Sequence, residues 1–232
     1  MRKSLVFIIS CLLLFACKQS KESDSQKDKE KEYIIATYHR TIDFGDIGGA
    51  IFSIQSLLSR DTSNYSYYDS LAILYYNSNN FAQSFKAADK ALVKYPNSPK
   101  LIRLMAEDAK RMGRDDLALP YLLKLNEGSK DPQLQYEIAV SRFYNKNYED
   151  AEKAVMETMK VPNSDHVFVL IAAADGKQQK VPMHAALYNL LGFIREKQNK
   201  KKEALDNYNK ALQIYPEFTQ AKNNIDALNK SK

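Results

Sequence analysis

Between Tyr65 and Pro96 the apolar positions recur with helical spacing. Tyr68, Leu71 and Tyr75 fall at i, i+3 and i+7 on one stripe, with small Ala72 beside them. Asn77 to Asn80 interrupts the stripe with turn-forming residues, and Phe81 restarts it through Phe85, Ala88, Ala91 and Leu92 until Pro96. The pattern predicts two antiparallel helices that approach where Ala72 and Ala91 are small, while Leu71, Tyr75 and Phe81 fill the surrounding space. The same arrangement returns as Tyr188, Leu191, Gly192, Ala204, Tyr208, Ala211 and Pro216, so the chain contains an internal repeat.

The doubled template resembles the tetratricopeptide repeat (TPR), a helix pair of about 34 residues. In that frame copies fall near 31–64, 65–98, 99–131, 132–164 and 185–218. The first turns at Gly45 into Ile47, Ala50, Ile51, Ile54 and Leu58; the third carries Ile102, Met105 and Ala106, turns at Gly113, and continues through Ala118, Tyr121 and Leu125. Pro120, inside the second helix of the third copy, is expected to kink it. The fourth copy has Ile138, Ala139 and Phe143, a turn at Asn145 to Asn147, then Tyr148, Ala151, Val155 and Met159.

Pro96 and Pro216 lie 120 positions apart, where three repeats need about 102, so about 18 residues are inserted. The insertion falls at Asp165 to His184. Its run of Val167, Phe168, Val169, Leu170 and Ile171, followed by Asp175-Gly176, predicts a β-hairpin near 166–182 with a tight turn. A short helix over 166–174 is the alternative, because Ala172 to Ala174 favour one. Residues 217–229, with Ala221, Ile225 and Leu228 on one side, resemble the solvating helix that closes such arrays. The expected fold is all-α: a TPR-like solenoid of about five helix pairs over 33–230, with a C-terminal capping helix and one hairpin insertion.

The N-terminus reads as an address. Arg2 and Lys3 precede an apolar run from Leu5 to Phe15, too short to serve comfortably as a spanning anchor. Leu14, Phe15, Ala16 and Cys17 resemble the lipobox of bacterial lipoproteins. That resemblance implies a signal peptide over 1–16 and a lipid on Cys17; an ordinary signal peptide with an incidental cysteine is the alternative. It places the mature protein at the bacterial cell envelope, with the outer membrane as the expected site. Residues 18–32 hold five lysines and five acidic residues with no large apolar side chain. The segment 17–32 is therefore expected to be a flexible linker. The formal charge of +6 falls to +4 once Arg2 and Lys3 are removed, which gives nucleic-acid binding no support.

No nucleophile elbow, zincin helix, phosphate-cradling glycine loop or paired-cysteine metal motif occurs. His39, His166 and His184 sit in separate elements, the last two flanking the hairpin, and none has an acidic or cysteine partner at ligand spacing. No catalytic residue, metal, cofactor or small-molecule substrate is expected. In the TPR family the first helix of each repeat lines the concave face. That resemblance nominates Asp69, Ile73, Tyr76 and Asn77; Lys100, Arg103, Glu107 and Lys110; Tyr136, Val140, Phe143 and Tyr144; and Asn189, Phe193 and Glu196. These predict a surface basic in the middle and aromatic beside it, suited to an extended or helical protein segment with acidic groups next to apolar anchors. Plain solvated helix faces are the alternative. The expected function is a membrane-anchored protein-protein adaptor, or else a structural component of an outer-membrane or secretion complex.

Overall fold

The computed structural model describes residues 25–172 and 176–230; Cys17 and the signal peptide lie outside them. The chain divides into two compact units, Met1–Pro96 and Asn97–Lys232. The first holds α1 (25–43), α2 (Ile47–Leu58), α3 (Tyr65–Asn77) and α4 (Phe81–Leu92). The second holds α5 (Pro99–Arg111), α6 (Asp115–Asn126), α7 (Pro132–Tyr144) and α8 (Tyr148–Met159). A 3-10 turn and strands β1 (Phe168–Ala172) and β2 (Gln178–Pro182) follow, then α9 (Met183–Lys197), α10 (Lys201–Ile214) and α11 (Thr219–Lys230).

One backbone device sets the phase of every helix pair. The first helix of each pair ends at a left-handed residue: Gly45 (φ 70°), Asn79 (59°), Gly113 (68°), Lys146 (62°) and Asn199 (60°). In each case the next residue's N–H reaches back to a carbonyl five positions earlier. Examples are Arg114 N to Ala109 O at 2.8 Å, Asn147 N to Arg142 O at 3.0 Å and Lys200 N to Arg195 O at 2.9 Å. This is the Schellman closure, which satisfies carbonyls the helix end would otherwise leave open. The five residues are spaced 34, 34, 33 and 53 apart, so the extra length sits wholly in the last interval. The first helices of the third and fourth pairs start on side-chain caps, Ser98 and Asp131, with a proline at the next position.

In the first unit the core runs along Ala50, Ile54 and Leu57 of α2, Leu71, Ala72 and Leu74 of α3, and Ala87, Ala88 and Ala91 of α4. Helix α1 corrects the expected linker, because residues 25–32 are already helical. Their Gln, Lys and Glu side chains are good helix formers, Lys27 and Glu30 stand at i,i+3, and the Arg60 guanidinium of the first unit pairs with Glu30. Apolar poverty alone does not make a segment a coil when it continues a helix that packs further on.

In the second unit α9 is enclosed by α8, α10 and the hairpin, and Val155, Val169, Val181, Met183, Leu187, Ile194 and Phe218 join one buried cluster. The C-terminal end is closed by α11, whose Leu228 packs with Ala204 and Tyr208. Pro120 lies inside α6 without ending it, and the helix runs on to Asn126.

The insertion is a two-stranded antiparallel hairpin, as its β-formers predict. Its turn differs. A two-residue Asp175-Gly176 turn would place Gln179 opposite Ala172, but Ala172 pairs with Gln178. The connection therefore contains an odd number of residues; Gly176 takes φ 78° within it, and Asp175 lies outside the described residues. Among the described residues, no helix is long and apolar enough to cross a membrane.

Candidate partner-binding groove

The second unit carries a groove of about 1110 Å³. Helix α7 supplies Tyr136, Val140, Phe143 and Tyr144, which share one face because they recur at i, i+4, i+7 and i+8. Helix α9 supplies Ala186, Asn189, Leu190, Phe193 and Lys197 by the same logic. All five residues of β1 line one wall. The aromatic side chains interlock: the Phe143 ring centroid lies 5.5 Å from Tyr144, 5.7 Å from Tyr148 and 6.0 Å from Phe193, and Phe193 lies 5.8 Å from Tyr208. These are offset and edge contacts that fix ring orientation. Tyr144 stays 63% exposed, so it offers free area.

The charges differ from the expected basic centre. Arg103 Nη1 and Lys110 Nζ each stand 3.0 Å from the same Glu137 oxygen, and Glu107 lies 3.4 Å from Lys110. Two cations and two carboxylates thus neutralise one another along α5 and α7. Glu137 escaped the sequence reading because nothing on its own helix announces a partner; its signal is the spacing of 34 from Arg103, one repeat length. Lys100, in the first turn of α5, is exposed.

Several nominated residues hold the fold as well as the groove. Asn189 is buried, donates to Gln220 at 2.9 Å and accepts from Asn224 at 3.0 Å, so its amide ties α9 to α11. Glu196 accepts a hydrogen bond from the buried Tyr208 hydroxyl. Burial first, and then the Glu196 carboxylate, push the Tyr208 phenol well above its ordinary pKa; burial does the same to Tyr136. At the mouth of α6, burial pushes the Asp115 carboxyl up against the opposing effect of the Ser141 hydroxyl, which donates to it at 3.0 Å.

Residues 185–218 match the tetratricopeptide repeat family. The fold is a TPR-like solenoid. YrrB, described as a TPR protein with an unusual peptide-binding site, superposes with a TM-score of 0.61 at 16% identity, over 82% of this chain and 89% of that one. MamA aligns at 0.57 and 14% identity over 79% and 91% of the two chains, and the 41-end fragment of MamA from Desulfovibrio magneticus RS-1 at 0.57 and 13% over 81% and 96%. No curated protein matches the sequence.

The remaining nominees, Asp69, Ile73, Tyr76 and Asn77, belong to the first unit. There Tyr76 packs its ring 5.7 Å from Phe81 of its own helix pair, Ile73 is half-buried and Asn77 is exposed. The histidines do not form a pair site: His184 Nε2 meets Ser164 Oγ at 2.9 Å, while exposed His166 lies 3.8 Å from Asp165. Among the described residues no group of three metal-ligating side chains converges. The hairpin wall and the rim lysines Lys146 and Lys197 are parts of the groove that helix-face reasoning missed.

Proposed function

We propose that this chain is a non-catalytic adaptor of the bacterial envelope, held at the outer membrane by lipid on Cys17, whose second unit receives a segment of a protein partner. The observation that carries the reading is the groove of about 1110 Å³ with clustered rings beneath the exposed Tyr144. Such a concave site, apolar at its floor and polar at its rim, suits a peptide segment with apolar anchors. YrrB, a protein of like fold described as having a peptide-binding site, lends support. Two acyl chains on Cys17 would give durable attachment, where one alone is marginal.

A photo-crosslinking residue at position 144 should capture a discrete partner in cells, and one at exposed Lys153 of α8 should not. Identical products at both positions would defeat the groove assignment. For the address, wild-type protein should incorporate labelled fatty acid; a Cys17→Ser protein that still takes up label would remove the anchor from the proposal. Permanent incorporation into an envelope complex through the hairpin is the second reading, favoured by the exposure of Phe168 (46%) and Leu170 (66%). It calls for co-purification as a detergent-stable assembly.

A further inference from the structure

The hairpin presents more than apolar side chains to the groove. Both faces of β1 line it, through Phe168, Leu170 and Ala172 on one side and Val169 and Ile171 on the other, whereas β2 contributes Lys180 alone. A strand that lines a space with both faces turns its edge towards it.

The phase of the ladder says which backbone groups that edge offers. The Met183 N–H donates to Val167 O at 2.8 Å, and the register continues as Phe168↔Pro182 and Val169↔Val181. In an antiparallel ladder hydrogen-bonded and non-bonded pairs alternate, so odd positions of β1 turn their backbone groups to β2 and even positions turn theirs away. Pro182 agrees: having no N–H, it fits only opposite Phe168, where the ladder requires no donor. The N–H and C=O groups of Phe168 and Leu170 therefore point outward, with no backbone partner among the described residues.

The charge on the rim says what kind of strand fits. Lys110 is neutralised by Glu137. Lys146, Lys180 and Lys197 also line the groove and have no carboxylate partner among the described residues, Lys180 instead standing 4.6 Å over the Phe168 ring.

Resting on the groove reading above, we infer that an extended acidic segment of the partner adds to β1 as a third strand. Its backbone pairs with Phe168 and Leu170, its alternate side chains meet the aromatic floor, and its carboxylates reach the lysines. This mode draws affinity from main-chain hydrogen bonds and specificity from alternate side chains.

The test uses the lipid-free protein and a capped octapeptide alternating Glu and Val, followed by fluorescence anisotropy and amide exchange. Binding should protect the amides of Phe168 and Leu170. N-methylation of the peptide at one set of alternate amides should abolish binding, and at the other set leave it intact. Leu170→Pro removes an outward donor without touching the β1–β2 ladder, so it should weaken binding about tenfold, as the loss of a backbone hydrogen bond does, while leaving the thermal midpoint unchanged. Lys146→Glu with Lys197→Glu should weaken it as well.

Three results would overturn the inference: no saturable binding up to about 1 mM, the upper end of weak affinity; equal binding of both N-methylated peptides; or a peptide-free dimer that Leu170→Pro dissociates, which would assign the edge to a second copy. If these tests fail while position 144 still crosslinks its partner, strand addition falls and the groove stands.

Discussion

A β-carbon placed on Gly192 would lie 2.2 Å from Cε1 of Tyr208, whose ring fills the space that glycine leaves between α9 and α10. The same two repeat positions, 16 apart, are held by Ala72 and Ala88, Ala106 and Leu122, and Ala139 and Val155 in the second, third and fourth copies. The smallest residue thus accompanies the largest. Gly192→Ala should destabilise the second unit by about 1 to 3 kcal/mol through overpacking. Adding Tyr208→Leu, the size used with Ala106, should recover part of the loss. Denaturant unfolding of the four proteins of the cycle measures it, and strict additivity would show that the two residues do not compete for space.

Glu137 serves two cations at once, so its removal should do more than an ordinary surface change. Glu137→Gln leaves Arg103 and Lys110 to share the Glu107 carboxylate alone. The expected cost is about 1 kcal/mol, near the upper end for partly exposed pairs, and it should shrink in high salt. The same substitution makes the groove more basic, so the acidic octapeptide should bind more tightly. Urea melts at two salt concentrations, alongside anisotropy, test both halves.

Alkaline stability should carry the mark of the buried phenols. An unfolded tyrosine ionises near pH 10, whereas burial holds Tyr136 and Tyr208 neutral well above that in the folded protein. Their contribution is fully present below the unfolded value and is lost as pH rises beyond about 10. Tyr136→Phe or Tyr208→Phe should therefore flatten the fall in unfolding free energy between about pH 9 and 11. A fall as steep as in the wild type would mean that the phenols are solvated.

Lys146 is the one lysine among the left-handed turn residues, where glycine or asparagine stands in the other four copies. A side chain with a β-carbon is disfavoured there by about 1 kcal/mol. Lys146→Gly should raise the thermal midpoint by about 2 to 4 °C in a domain of this size, read by calorimetry.

The repeat phase was plain in the chain because Tyr188, Gly192, Ala204 and Tyr208 each meet a steric demand of close helix packing. The hairpin was legible from its β-formers, yet its register was not: Asp175-Gly176 advertises a two-residue turn, and only the pairing of Ala172 with Gln178 shows otherwise. Arg103 and Lys110 read as free positive charge because Glu137 stands one repeat away on another helix. Residues 25–32 look like linker but are helical, because a lack of apolar side chains says nothing of a helix whose packing begins beyond it.

Pro182 is both the last residue of β2 and the residue that opens α9, with no slack between strand and helix. A load applied to the hairpin therefore passes straight into α9, whose Asn189 is already tied to α11. A pull from a partner gripping this strand would travel along a continuous mechanical path to the C-terminal end of the second unit. Occupancy of the edge should then stiffen regions the ligand never touches, visible as slowed amide exchange in α11. Exchange there that is indifferent to ligand would show the path to be slack.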